Sequence, residues 1–174
     1  APDEDIYIGT ESSGLYIYSG NWKLKQHIPV DGTITAILPD EGGNIWLGLD
    51  EAGICLFNKE RQTFTWLHKD NTCLSNNSIR TLVPYSDSSI LIGTFRGLNI
   101  LDKKELAIAP ADINIAGKGG LSHYSIHSMM IDKDQTLWIG TYSAGVNYHS
   151  PFYRPVSYIT PNEYAGIIGK GQQD

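Results

Sequence analysis

Four times along the chain a short apolar run ends in glycine. The runs are Ile6-Tyr7-Ile8-Gly9-Thr10, Ile45-Trp46-Leu47-Gly48-Leu49, Ile90-Leu91-Ile92-Gly93-Thr94 and Leu137-Trp138-Ile139-Gly140-Thr141. Their glycines stand 39, 45 and 47 residues apart. A second glycine follows each one (Gly14, Gly53, Gly97, Gly145) at offsets of 5, 5, 4 and 5, and opens another apolar segment. Upstream, Ile34, Ile79 and Ile126 each lie 12 residues before Trp46, Leu91 and Trp138, and each follows a hydroxyl residue, Thr33, Ser78 or Ser125. Asp40 and Asp132 stand six residues after their isoleucines, where the chain must reverse. Self-similarity at such a period marks an array of one supersecondary unit.

Each unit reads as a small sheet. Three consecutive apolar positions require burial on both faces of a strand, whereas a sheet with one wet face alternates. A doubly buried strand within a repeat of about 40 to 50 residues fits sheets packed face to face around an axis, the geometry of a β-propeller blade. The best-formed copy predicts strands over Ile34–Leu38, Asn44–Leu49, Gly53–Phe57 and Thr63–His68. Asp40-Glu41-Gly42-Gly43-Asn44 and Asp132-Lys133-Asp134-Gln135 supply hairpin chemistry. The paired glycines supply a positive φ or let the backbone cross close to a neighbouring blade. Helical periodicity is absent. The fold class expected is all-β, with about four blades of four antiparallel strands each, in repeats 1–32, 33–77, 78–124 and 125–163. Residues 164–174 then form the first strand of a further repeat.

Composition narrows the function classes. The 174 residues carry 13 Lys+Arg against 19 Asp+Glu, a net charge of −6, and no basic block, which argues against nucleic acid as a partner. With 41% hydrophobic and 18% charged residues, neither disorder nor a coiled coil fits. No apolar run approaches the roughly 18 residues that span a bilayer, so no direct membrane insertion is expected. The 18 glycines, 10 tyrosines and 4 tryptophans suit short strands joined by tight turns.

The string Ser-Ile-x-x-Met/Leu, Asp, Leu-Trp-Ile-Gly-Thr, Gly-Val/Leu-Asn resembles the two-component regulator propeller repeat. Residues 125–147 match it best and 33–57 closely. Residues 78–101 depart from it, with Tyr85 at the turn Asp and Leu91 in place of Trp; residues 6–18 match only its second half. The resemblance implies the periplasmic sensor region of a hybrid two-component receptor, of the type gut Bacteroidetes use to detect glycan breakdown products. It also implies a larger propeller, typically seven-bladed, in a receptor that dimerises and signals through a histidine kinase elsewhere. The chain starts and stops at the same phase of the repeat. It therefore reads as a piece whose partners include the remaining blades, or as a permuted four-blade unit.

Candidate chemistry is sparse. No kinase signature, phosphate-cradling glycine loop or response-regulator acidic cluster is present. His123 and His127 are four residues apart, about 13 Å on an extended strand and too far to share one ion; no metal and no cofactor is expected. Cys55 and Cys73 allow one disulfide or two free thiols, Cys55 lying in an apolar strand that suits a buried thiol. Asp132-Lys133-Asp134 has the look of a calcium loop but lacks its glycine, so a structural turn is expected.

In a propeller the loops entering the inner strand and those between the second and third strands share one face. Here it collects the ligand candidates Phe95, Arg96, Tyr142, His123, Tyr124, Asn77, Asp50 and Glu11. Rings stack on sugar faces, while polar and charged groups bind hydroxyl, uronate or sulfate groups. Arg96 is the sharpest candidate, in the shortened glycine–glycine loop beside Phe95. Three functions compete: a sensor that binds an oligosaccharide without converting it, a protein–protein scaffold, and a propeller glycoside hydrolase or lyase. The last needs paired carboxylates about 5 to 10 Å apart, and nothing singles out two of Glu11, Asp50 and Glu51.

Overall fold

The computed structural model describes residues 5–111 and 121–151 in full, and 153–159 as backbone. The expected further repeat at 164–174 lies outside the described residues. Every regular element is a strand: β1 Ile6–Gly9, β2 Leu15–Tyr18, β3 Leu24–Ile28, β4 Ile34–Pro39, β5 Asn44–Leu49, β6 Gly53–Asn58, β7 Thr63–Leu67, β8 Ile79–Ser86, β9 Ser89–Thr94, β10 Gly97–Asp102, β11 Ile108–Pro110, β12 Ile126–Ile131, β13 Leu137–Thr141, β14 Val146–Ser150 and β15 Tyr153–Ile159. They form four antiparallel meanders, β1–β3, β4–β7, β8–β11 and β12–β15. Inner strand β4 packs on β8, and β8 on β12. The architecture is that of β-propeller blades.

The first blade departs from the four-strand expectation, with three strands among the described residues.

Packing explains the continuous apolar runs. Along β5, Ile45, Leu47 and Leu49 meet Leu15 and Ile17 of blade 1, while Trp46 packs with Ile79, Ile90 and Ile92 of blade 3. Successive residues thus face opposite neighbours, and all of Ile45–Leu49 is buried. Leu91 and Leu98 meet Ile126, Leu137 and Ile139 across the next junction. Each fully buried aliphatic or aromatic side chain contributes about 1.5–3 kcal/mol relative to exposure.

The two glycines of each repeat have different tasks. A Cβ on Gly48 would lie 2.5 Å from Ile79 Cγ2, so this glycine admits the isoleucine that opens the next blade. Gly9 receives Ile34, and Gly93 receives Ile126, in the same way. Gly53 instead has φ +82°, with the Leu67 carbonyl where a side chain would go. Only glycine takes that conformation at little cost.

Two polar devices recur. Asp40 Oδ2 accepts from Trp46 Nε1 at 3.0 Å and Asp132 Oδ2 from Trp138 Nε1 at 2.8 Å. The other carboxylate oxygen caps the turn, accepting from the Asn44 N–H and from the Asp134 and Thr136 N–H groups, all at 2.9 Å. Asp132 is therefore a structural turn residue, as expected. In blade 3, Tyr85 and Leu91 replace both partners, and the hairpin closes through Ser86 and Ser89 hydroxyls 2.6 Å apart.

The second device ties each interblade connection to the blade it enters. Buried Asn99 accepts from the Ser75 hydroxyl at 2.6 Å, and Ser75 Oγ lies 3.1 Å from Thr94 Oγ1. Buried Asn147 donates to Ser122 Oγ at 2.8 Å and accepts from the Ser122 N–H at 3.0 Å. In blade 2 the same repeat positions hold Val30, Leu49 and Cys55, all buried in one apolar cluster. Cys55 and Cys73 are both free thiols, the first buried and the second exposed.

Candidate ligand-binding site

Strand register gathers the candidate loops at one end of the sheets. The start of β4 pairs with the end of β5 (Ile34 with Leu49), and the end of β5 with the start of β6 (Leu49 with Gly53). Ile79 pairs likewise with Thr94, and Ile126 with Thr141. Two residues past the first glycine of each repeat stand Glu11, Asp50, Phe95 and Tyr142. The backbone N–H groups of Asp50, Phe95 and Tyr142 donate to the carbonyls of Thr33, Ser78 and Ser125 at 2.9, 3.0 and 3.0 Å. One scaffold position therefore changes from acidic in the first two blades to aromatic in the last two.

Between blades 3 and 4, Phe95, Arg96, His123, Tyr124 and Ser125 line an open cleft of about 430 Å³. Phe95 and Arg96 arrive on the turn from β9 to β10, and the other three immediately precede β12. The Arg96 N–H donates to Thr94 Oγ1 at 3.0 Å, and that hydroxyl donates to the Gly97 carbonyl at 3.0 Å. The short loop is thus closed on itself, and Phe95 and Arg96 are both exposed. Phe95 is 45% exposed and Tyr124 75%.

His123 has a definite tautomer. Its Nδ1 accepts from the Ser125 N–H at 3.0 Å, so the neutral ring carries its proton on Nε2 and offers a donor. Asn76 does the same for the Ser78 N–H one blade earlier, at 2.8 Å.

The remaining candidates are placed differently. Tyr142 is 74% exposed and joins Ser125 of the cleft through its backbone N–H. Asn77 clips the preceding loop: its Oδ1 accepts from the Lys69 N–H and its carbonyl from the Gly53 N–H, both at 2.8 Å. Asp50 and Glu11 belong to blades 2 and 1 and do not line the cleft. His127 sits exposed on β12, and no group of three metal-ligating side chains occurs among the described residues.

Sequence reasoning missed Arg80. Its guanidinium carbon lies 6.0 Å from the centre of the Phe95 ring, a cation–π distance. The signal was available: Thr35, Arg80 and His127 each follow a repeat isoleucine, where all three inner strands carry a bulge. Bulges re-aim a side chain.

A larger cleft, about 520 Å³, opens at the opposite end between blades 2 and 3, lined by residues including Pro39, Asp40, Gly42, Pro84 and Lys103. Glu41 and Asp87 line it as well; both oxygens of Asp40 are occupied within its own hairpin, and among the described residues no aromatic side chain lines this cleft. The smaller cleft is the one lined by aromatic side chains, Phe95 and Tyr124.

Comparison with known proteins agrees with this layout. Residues 120–143, which supply His123, Tyr124 and Tyr142, match the two component regulator propeller family. No curated protein matches the chain by sequence. Among solved structures, the propeller blades superpose on the extracellular domains of two putative hybrid two component systems of B. thetaiotaomicron, each 17% identical, with TM-scores of 0.63 and 0.56. These cover 90% and 91% of this chain and 21% and 27% of their own. PorZ, a surface component of the type-IX secretion system of Porphyromonas gingivalis, is similar at TM-score 0.64 and 16% identity, over 92% of this chain and 28% of its own. The chain thus spans well under a third of each of these structures.

Proposed function

We propose that this propeller segment belongs to the extracytoplasmic, periplasmic sensor region of a hybrid two-component receptor and binds an oligosaccharide without converting it. The observation that carries the reading is the convergence of Phe95, Arg96, His123 and Tyr124, from two separate stretches of sequence, on one cleft. Exposed rings offer sugar-stacking faces, and His123 Nε2–H and the Ser125 and Arg96 groups offer hydrogen bonds to hydroxyls. Among the described residues no carboxylate lines the cleft, whereas glycoside hydrolysis needs two. The similarity to extracellular domains of hybrid two component systems supports the receptor setting. In a dimeric receptor, binding signals only through a difference in affinity between its two states.

Calorimetry of the chain against a panel of oligosaccharides tests this. Binding of at least one of them, weakened about tenfold or more by Tyr124→Ala, is the expected result. Release of new reducing ends from a bound oligosaccharide would overturn the non-enzymatic reading.

A further inference from the structure

At each described junction between blades, one isoleucine is seated against one glycine. A Cβ on Gly9 would lie 2.6 Å from Ile34 Cγ2, one on Gly48 2.5 Å from Ile79 Cγ2, and one on Gly93 2.7 Å from Ile126 Cγ2. The inner strand of the glycine's own blade makes a second wall of this socket. Ala36 Cβ stands 3.2 Å from the Gly48 position, and Thr81 Cγ2 2.6 Å from the Gly93 position. Gly140 has the same wall, with Ser128 Oγ at 2.7 Å, but no isoleucine among the described residues. Gly48 and Gly93 are buried, whereas Gly140 is half-buried. Beside it, Trp138 is half-buried and Val146 exposed, where their counterparts Trp46 and Ile54 in blade 2 are both buried. The outward face of blade 4 is thus built like an inner junction and left open.

Two spacings name the residue that fills the socket. From socket glycine to seated isoleucine the chain runs 25, 31 and 33 residues at the three junctions. Counted from Gly140, that range covers residues 165–173, in which Ile167 and Ile168 are the only β-branched residues. The seated isoleucines of blades 2 and 4 also stand six residues before the aspartate that caps the next hairpin, Ile34 before Asp40 and Ile126 before Asp132. Asp174 stands six residues after Ile168. Adjacent residues of a strand face opposite ways, so only one of the two isoleucines can enter the socket. The aspartate spacing selects Ile168.

We propose that the open face of blade 4 is a docking surface for residues 164–174 of this chain, with Ile168 seated against Gly140 as Ile126 is against Gly93. At the described junctions an inner strand packs on the first two strands of the preceding blade, β8 on β4 and β5, and β12 on β8 and β9. Residues 164–174 therefore cover β12 and β13 and leave Val146 and Tyr148, on β14, uncovered.

Cysteine pairs test this in the full chain carrying Cys73→Ser. Gly93→Cys with Ile126→Cys sets the oxidation conditions, because the two Cβ positions lie 3.3 Å apart, just under the ordinary disulfide range of about 3.5–4.5 Å. Under those conditions Gly140→Cys with Ile168→Cys is expected to link within one chain, so that guanidinium reveals one titratable thiol, Cys55, instead of three. Gly140→Cys with Ile167→Cys is expected to keep all three. Failure of the first pair to link, or equal linking of the second, would overturn the proposal. A link between two chains on a non-reducing gel would overturn it as well, and would assign the face to a second copy. A second measurement leaves the glycine intact. The backbone amides of Gly140 and Thr141 are expected to exchange about tenfold or more faster in Ile168→Asp than in the parent, with exchange in β5 unchanged. Equal rates at Gly140 and Thr141 in the two proteins would also overturn the proposal.

Discussion

Gly48 shows how much can depend on one missing methyl group. Its neighbour Ile79 is fully buried, and an added Cβ would sit 2.5 Å from the isoleucine Cγ2, so blades 2 and 3 would have to separate. Gly48→Ala is expected to cost about 1–3 kcal/mol in urea unfolding, and Ile79→Ala in the same chain to make the glycine change nearly free. Additive losses in that cycle would refute the contact. Cys55 gives a second single-residue outcome. Burial pushes its thiol up to about 12, whereas Cys73 is exposed. A thiol reagent at pH 8 should therefore label one cysteine in the folded protein and two in guanidinium, with no prior reduction. Asp40 gives a third. Burial opposes its ionisation, but hydrogen bonds from Asn44, Trp46 and Gly42 outweigh burial and hold its carboxyl below the ordinary 3.8. As pH falls the unfolded chain binds that proton first, so the stabilisation is complete above the ordinary value and lost as pH drops through the lower folded one. Asp40→Asn should lower the melting temperature at pH 7 and flatten its acid decline; parallel pH curves for the two proteins would contradict this.

Elements are exchanged as sets. Val30, Leu49 and Cys55 occupy the three positions that Ser75, Thr94 and Asn99 occupy in the next blade, and all three change character together. The reason is desolvation: one polar member among apolar partners would be buried without a hydrogen bond, which costs about 1–3 kcal/mol. Asn99→Ala is therefore expected to destabilise by about that amount, because it strands the Ser75 N–H and leaves the Ser75 hydroxyl only Thr94. The triple change Ser75→Val, Thr94→Leu and Asn99→Cys should lie nearer the parent than the single change does. Equilibrium unfolding of the two variants decides it. Tyr85 and Leu91 follow the same logic in replacing the Asp–Trp pair, since a tryptophan without its acceptor would bury an unpaired N–H. The motif departures in blade 3 were visible in the sequence, but their coupling was not. Positions 30, 49 and 55 are remote along the chain and become one site only when the connection folds over the end of the sheet.

The described residues form a row of blades whose middle members are covered on both sides. Burial is continuous along Ile45–Leu49 and Ile90–Thr94 but alternates along β2, and Ile8 is 37% exposed. On blade 4 the outward face carries Trp138 and Tyr148, their rings 5.5 Å apart. Gly140 faces the same way as Gly48 and Gly93 do, with no isoleucine against it among the described residues. Amide hydrogen exchange should thus be slowest in β5 and β9 and faster in β1 and β13, since local opening is easiest where one face is wet. Uniform protection across the four sheets would contradict this gradient.

The sequence by itself determined the repeat, the strand class, the turn positions and the face on which loops gather, because these follow from periodicity and from residues that glycine, aspartate and isoleucine cannot be exchanged for. It also marked Phe95, Arg96, His123 and Tyr124 as residues of one face. Only the tertiary structure decided that these four share a cleft while Asn77 is tied to Lys69 and Asp50 and Glu11 stand two and three blades from Tyr124's own. Only it brought Arg80 to the Phe95 ring and separated the work of the two glycines. Distance around the propeller depends on how one blade packs against the next, through contacts such as Gly48 with Ile79, and such contacts join residues 31 positions apart that no local pattern connects.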